Sequence, residues 1–139
     1  MVQPTNIRIR NAQPADRQAF LDFIVPFISE GRLLPRTEIE FDDLLPGLFI
    51  ADHSGEIVGC AALEIYSKKL AEIRSLAVAT NLQGSGVGKR LVNACLDRAA
   101  QHDILEVMAI TSSENFFKAC GFDFTLPGEK KALFYQTRT

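Results

Sequence analysis

The sequence predicts an α+β fold in which helices pack against a mostly antiparallel central sheet of about six to seven strands. Three observations predict it. Short apolar runs with strand character recur along the whole chain. Two longer stretches carry apolar residues at helical spacing, and a glycine-rich loop, Gly84-Ser85-Gly86-Val87-Gly88, joins one strand run directly to the second of them. Consecutive strand runs joined by tight turns pair antiparallel, and the helices between other runs must bury their apolar stripes against the resulting sheet.

Ile7-Arg8-Ile9-Arg10 alternates apolar and basic residues, the period-two pattern of a half-exposed first strand. Pro14 suits a first helical turn, and Ala19, Phe20, Phe23, Ile24, Phe27 and Ile28 recur at helical spacing. Pro26 is expected to break or kink this helix, because it lacks an N–H and clashes with the preceding turn. Thr37 followed by Glu40 has the form of a capping box, which predicts a short helix over residues 38–45, ended by Pro46-Gly47.

Residues 48–51 and 57–66 are apolar runs around a Ser54-Gly55 turn and read as an antiparallel hairpin. A second turn leads to residues 71–79, aliphatic enough for a central strand. After the glycine loop, Val87, Leu91, Val92, Cys95, Leu96 and Ala99 fall on one helical face, with Lys89, Arg90, Asp97 and Arg98 outside the apolar stripe. Residues 104–110 read as a further strand, 114–120 as a short helix stopped by Gly121, and 132–136 as a last strand.

A chain of 139 residues buries enough surface for one core, so a single domain over residues 1–139 is expected. Its 47% hydrophobic and 23% charged residues are ordinary for a globular protein. No apolar run spans a bilayer, and Met1 to Asn6 lack the basic start and apolar run of a signal peptide. A cytoplasmic protein without a membrane partner is the expectation. Cys60, Cys95 and Cys120 are odd in number and widely spaced, which fits neither a disulfide framework nor a zinc site, so no metal is expected. A net charge of −2 offers no broad attraction for nucleic acid, and none is expected as a partner.

The glycine loop carries the chemistry. Glycines allow the main chain to approach a ligand closely, and at a helix start the unpaired N–H groups and the positive end of the helix dipole converge on one spot suited to phosphate. Lys89 adds a charge nearby. A plain connecting turn is the alternative reading of such a loop. Counting positions removes two nucleotide motifs. A P-loop needs Gly where Gln83 stands and Ser or Thr where Arg90 stands, and a G-x-G-x-x-G fingerprint ends on Lys89 or Leu91 instead of Gly.

Gln83-Gly84-Ser85-Gly86-Val87-Gly88 does match the coenzyme A signature of the GNAT acetyltransferase superfamily: Gln or Arg, two residues, Gly, one residue, then Gly or Ala. The likeness spans nearly the whole chain. Glu72-Ile73-Arg74-Ser75-Leu76-Ala77-Val78 resembles the family's fourth strand, and residues 115–122, Asn-Phe-Phe-Lys-Ala-Cys-Gly-Phe, resemble its later helix and turn. Within the superfamily the chain is similar to the acetyltransferase domain of N-acetylglutamate synthases, through residues 57–63 and 72–78, with weaker support from Leu33-Leu34-Pro35-Arg36-Thr37 and Thr111-Ser112-Ser113. Those synthases commonly carry an amino-acid-kinase-like domain ahead of this one; this sequence has no such segment, so allosteric control through it is not expected.

The resemblance implies acetyl-CoA as cosubstrate, lying between the fourth and fifth strands. Its pantetheine would pair with main-chain groups of Leu76, Ala77 and Val78. Its pyrophosphate would rest on N–H groups of Gly84, Ser85, Gly86, Val87, Gly88 and Lys89, with Gln83 beside it and Asn115 near the pantetheine or sulfur. Amine acetylation needs a neutral amine, and Glu72 is the first candidate for general base; a strand carboxylate in a surface salt bridge is its alternative reading. The Val78 N–H would stabilise the oxyanion. Many family members place a tyrosine acid where this chain has Phe117, which cannot donate a proton, so the leaving group departs as thiolate or takes a proton from water or Ser112.

For a glutamate-like acceptor, Arg36 and Arg74 are the candidates to hold carboxylates, each also readable as an ordinary surface arginine. Cys60 would border the pocket, or simply fill the core. Three functions stay open at this point: acetylation of a small amino acid, acetylation of a protein N-terminus or lysine, and a non-catalytic acetyl-CoA-binding regulatory module. A homodimer is an open alternative for its assembly.

Overall fold

A computed structural model describes residues 6–124 and 132–137 of the chain. Its elements run β1 (Arg8–Asn11), α1 (Arg17–Ser29), α2 (Glu38–Leu44), β2 (Leu48–His53), β3 (Glu56–Ile65), β4 (Leu70–Val78), α3 (Val87–Gln101), β5 (Glu106–Met108) and α4 (Glu114–Ala119). The five strands form one sheet in chain order, β1-β2-β3-β4-β5. The first four pair antiparallel, and β4 pairs β5 in parallel.

Local sequence explains each joint. Ser54 and Gly55 both take positive φ, 51° and 90°, the requirement of a two-residue turn whose twist matches its flanking strands. Thr37 and Glu40 form the reciprocal capping box that starts α2. Gly47 lets β2 begin against β3: a Cβ there would lie 2.2 Å from the Leu63 carbonyl oxygen.

The sheet separates two apolar layers. On one face α3 packs with Val87, Leu91, Val92, Cys95 and Ala99 against Ala61, Leu63, Ala71 and Ile73. On the other, α1 and α2 bring Phe20, Ile24 and Phe41 onto Ile50, Cys60, Ala62 and Ala77. Alternate residues of β3 thus serve opposite layers, as the pleat requires.

Four expectations are corrected. Among the described residues the sheet has five strands, not six to seven. Residues 132–137, expected to hold a last strand, pair with no strand, and Leu133, Phe134 and Tyr135 are exposed; strand propensity without a partner edge yields no strand. Pro26 does not interrupt α1, which runs three residues past it. A proline this near a helix end forfeits one ladder bond, and the turn closes anyway through Arg32 and Leu33 N–H groups donating to the Phe27 carbonyl at 2.8 and 3.3 Å. The strand expected over residues 104–110 is only three residues long. Among the described residues, no helix is long and apolar enough to cross a membrane.

Candidate active site

The short fifth strand creates the site. Parallel pairing of β4 with β5 covers only Leu70↔Glu106, Ala71↔Val107 and Glu72↔Met108. Beyond Glu72 the two chains part, and a cleft of about 760 Å³ opens between residues 73–78 on one side and residues 110–113 with Phe116 and Phe117 on the other. The main chain of the end of β4 lines this cleft. The Ala79 N–H donates to the Val58 carbonyl across β3, so by strand alternation the N–H and carbonyl of Val78 face away from β3, toward the opening. The Val78 carbonyl accepts a 3.1 Å hydrogen bond from the Gln83 side-chain amide.

The glycine loop closes one end of the cleft. Gly84 and Gly86 stand at φ 83° and 94°, in the left-handed region, and open space surrounds the position of a Cβ at either. Gly86 caps α3, and the first intrahelical bond runs from the Arg90 N–H to the Gly86 carbonyl at 3.1 Å. The N–H groups of Val87, Gly88 and Lys89 therefore lie ahead of the ladder and have no intrahelical acceptor. Gly88 meets the Phe116 ring, whose edge lies 3.3 Å from where a Cβ would stand. The Ser85 hydroxyl donates to the Leu82 carbonyl and closes the turn.

Opposite the loop, β4 carries a bulge. Cys60 pairs with Ala77 but Ala62 pairs with Arg74, so β4 holds an extra residue there. Ser75 takes φ 54° at this bulge, and its carbonyl accepts from the Cys60 thiol at 3.1 Å. Burial pushes the Cys60 thiol up to about 12, which makes it an inert core group. The Ser75 hydroxyl accepts a 3.3 Å bond from Arg36 Nε, which arrives from the segment between α1 and α2.

Around Arg36 the sheet face changes from apolar to charged. Arg36 Nη1 lies 3.7 Å from Glu40 and 3.9 Å from Glu64; Arg74 Nη1 lies 3.7 Å from Glu64 and 3.9 Å from Glu72. Burial pulls the Arg74 guanidinium down, but Tyr66 and the carboxylates of Glu64 and Glu72 outweigh it and hold it above its ordinary value. Glu72 is the one buried charged residue among the described residues, at 8% exposure, and accepts a 2.6 Å bond from the Tyr66 hydroxyl. Burial first, then that bond, push Tyr66 up to about 12.

Of the residues singled out from sequence, Arg36, Glu72, Arg74, Leu76, Ala77, Val78, Gln83, Gly84, Gly86, Gly88, Lys89, Ser112 and Phe117 all border this one cleft. Cys60, Ser85, Val87 and Asn115 do not line it. Cys60 and Val87 are fully buried, Ser85 turns its hydroxyl inward, and Asn115 is exposed on the first turn of α4, where its neighbour Phe116 takes the wall. Sequence reasoning missed Glu64 and Tyr66. Glu64 stands opposite Glu72 in the β3–β4 register, a relation visible only once the hairpin pairing is counted out. Among the described residues no group of His, Cys, Asp or Glu is arranged to hold a metal ion.

Comparison with known proteins agrees with this geometry. Residues 17–122 match the model of the acetyltransferase (GNAT) family. The chain is 34% identical over 114 residues to an uncharacterised N-acetyltransferase of Chlorobaculum tepidum, covering 82% of this chain and 74% of that one. It is 30% identical over 141 residues to an amino-acid acetyltransferase of Ralstonia nicotianae, covering 96% of this chain but 31% of that protein's length. Among solved structures, N-acetylglutamate synthase of Neisseria gonorrhoeae, complexed with coenzyme A and N-acetyl-glutamate, superposes with a TM-score of 0.73 at 29% identity, over 81% of this chain and 27% of that one. A strand–loop–helix phosphate cradle beside a splayed strand pair, in a chain matched by this family over most of its length, identifies the protein as a member of the GNAT acetyltransferase family, an N-acetyltransferase that uses acetyl-CoA.

Proposed function

We propose that the chain transfers the acetyl group of acetyl-CoA to the amine of a small amino acid, glutamate or a close relative. The observation that carries this reading is the convergence of Arg36 and Arg74 on the cleft, beside the free main-chain edge of β4 and the buried carboxylate of Glu72. Two guanidiniums lining the cleft suit an acceptor that brings its own carboxylates. The amino-acid acetyltransferase of Ralstonia nicotianae and the N-acetyl-glutamate complex of the Neisseria gonorrhoeae synthase support the same acceptor class.

The residues divide the work by chemistry. The N–H groups at the start of α3, with Lys89, suit the pyrophosphate of acetyl-CoA. The cleft-facing main chain at the end of β4 suits the amide arm that carries the thioester, and the Val78 N–H is available to the carbonyl oxygen as it gathers charge. A free amino acid's amine is mostly protonated at neutral pH, since even a chain-terminal α-amino group has a pKa of about 8. Glu72 takes the proton, directly or through a water, as the amine attacks and the carbon–sulfur bond breaks. Phe117 gives no proton to the departing sulfur, which leaves as thiolate or takes a proton from water or Ser112.

A thiol-release assay with acetyl-CoA and a panel of amino acids, a peptide N-terminus and free lysine tests this reading. Release of coenzyme A with glutamate or a relative, lost when Arg36 and Arg74 are both replaced by alanine, supports it. Release only with the peptide, or none with any amine while acetyl-CoA raises the melting temperature, overturns it.

A further inference from the structure

Glu64 stands where an acceptor's carboxylate is needed least. It projects from β3 on the sheet face of Ala62 and Cys60, directly opposite Glu72 of β4. Its two oxygens face different arginines: Oε1 lies 3.9 Å from Arg36 Nη1 and Oε2 lies 3.7 Å from Arg74 Nη1. Those guanidiniums come from chain positions 38 residues apart, and among the described residues Glu64 is the one carboxylate within ion-pair range of both. The side chains are 9% exposed for Arg36, 26% for Arg74 and 28% for Glu64, so the pairing is shielded enough to act.

Charge and donor counts give opposite answers, and the opposition is informative. Glu40, Glu64 and Glu72 surround two guanidiniums, so the positive charge is already compensated in the protein itself. The hydrogen-bonding capacity is not, because Glu64 reaches neither guanidinium at hydrogen-bond length while a guanidinium has five donors in a rigid fork. A site with free donors but little net positive charge still binds a polar group. It discriminates weakly in favour of a charged group over a neutral one of the same shape.

We infer that Glu64 is a specificity-determining residue of the acceptor site: its carboxylate competes with the acceptor's side-chain carboxylate for Arg36 and Arg74, and so narrows the enzyme's preference for a side-chain carboxylate over a neutral amide of the same shape. This rests on the amino-acid reading above. Glu64 itself does not line the cleft, so it acts through the arginines and not by touching the acceptor.

The test is the ratio of kcat/KM for L-glutamate to that for L-glutamine, in the wild type, Glu64→Gln and Glu64→Asp. Removing the charge in Glu64→Gln raises the ratio roughly three- to tenfold, while Glu64→Asp, which keeps it, stays near wild type. Glu64 Oε2 also accepts a 3.2 Å bond from the Tyr66 hydroxyl, and the amide oxygen of Glu64→Gln can still accept it, so the comparison isolates the charge. An unchanged or lower ratio in Glu64→Gln, or the same change in both variants, overturns the inference. If the wild type acetylates neither amino acid, the acceptor reading has failed, and calorimetric titration of glutarate into the coenzyme A complex decides the inference alone: tighter binding in Glu64→Gln sustains it, equal or weaker binding overturns it.

Discussion

The Tyr66 hydroxyl donates a 2.6 Å hydrogen bond to Glu72 Oε1, tying the end of β3 to the buried carboxylate in β4. The bond exists only while the phenol is neutral, and the phenol is pushed from 10.0 up to about 12 in the folded protein. A raised value means that folding favours the protonated form, so the contribution is complete below pH 10.0 and is lost as pH rises toward about 12. Below pH 10.0 the wild type should melt above Tyr66→Phe, and the gap should close as pH climbs toward about 12. A gap that stays constant through that range rules out the bond as its cause.

Glu72→Gln keeps the shape and can still accept a bond from Tyr66, but it cannot take a proton at neutral pH. If Glu72 is the base, kcat/KM for the best acceptor falls roughly 10²- to 10⁴-fold while acetyl-CoA affinity stays within about twofold. A loss of less than tenfold in a folded variant reduces Glu72 to an ion-pair partner of Arg74.

Local chemistry made much of this molecule legible in advance. The Ser54-Gly55 turn, the Thr37–Glu40 box and the glycine loop each act within a few residues, so their outcome follows from the residues themselves. What stayed hidden depends on pairing over distance. The bulge at Ser75 is a mismatch between β3 and β4, and the Arg36–Ser75 bond joins residues 39 apart. Nor does propensity show how soon β5 leaves β4, and that departure is what opens the cleft.

Gly86 and Gly47 should respond differently to alanine. Gly86 has room for a methyl group but stands at φ 94°, so Gly86→Ala costs about 1–2 kcal/mol from backbone strain alone and weakens coenzyme A binding by tilting the N–H groups that follow. Gly47→Ala drives a Cβ to 2.2 Å from the Leu63 carbonyl oxygen and should prevent a stable fold. Urea unfolding and coenzyme A titration of both variants check this. A Gly86→Ala protein with wild-type coenzyme A affinity removes the loop from the binding site.

Arg10 fastens the first strand by bonding Asp52 at 2.8 Å and Asp16 at 2.8 and 2.9 Å. Its bonds are the main cause holding both carboxyls below their ordinary value of 3.8. A lowered carboxylate contributes stability above that value and loses it as pH falls further. Arg10→Met should therefore cost about 1.5–3 kcal/mol near neutrality, and the difference from wild type should vanish in acid below pH 3.8. Equal acid sensitivity of the two proteins refutes the assignment.

Phe117 brings the leaving group and the core together. Its ring is 7% exposed, lines the cleft, and meets Phe116 and Phe122 edge-on at centroid distances of 5.1 and 5.2 Å. Phe117→Ala should cost about 3–5 kcal/mol, because those edge contacts and the buried ring are lost together. Phe117→Tyr keeps the ring and adds only an oxygen, so it should fold and retain acetyl transfer within about tenfold of wild type. A thioester expels a thiolate without needing a strong acid, so a new phenol should help little. A gain well beyond tenfold would mean that protonating the sulfur limits the wild-type rate. Complete loss in a folded Phe117→Tyr protein would mean instead that the ring's apolar edge is what the sulfur requires, and the thiolate route would have to be abandoned.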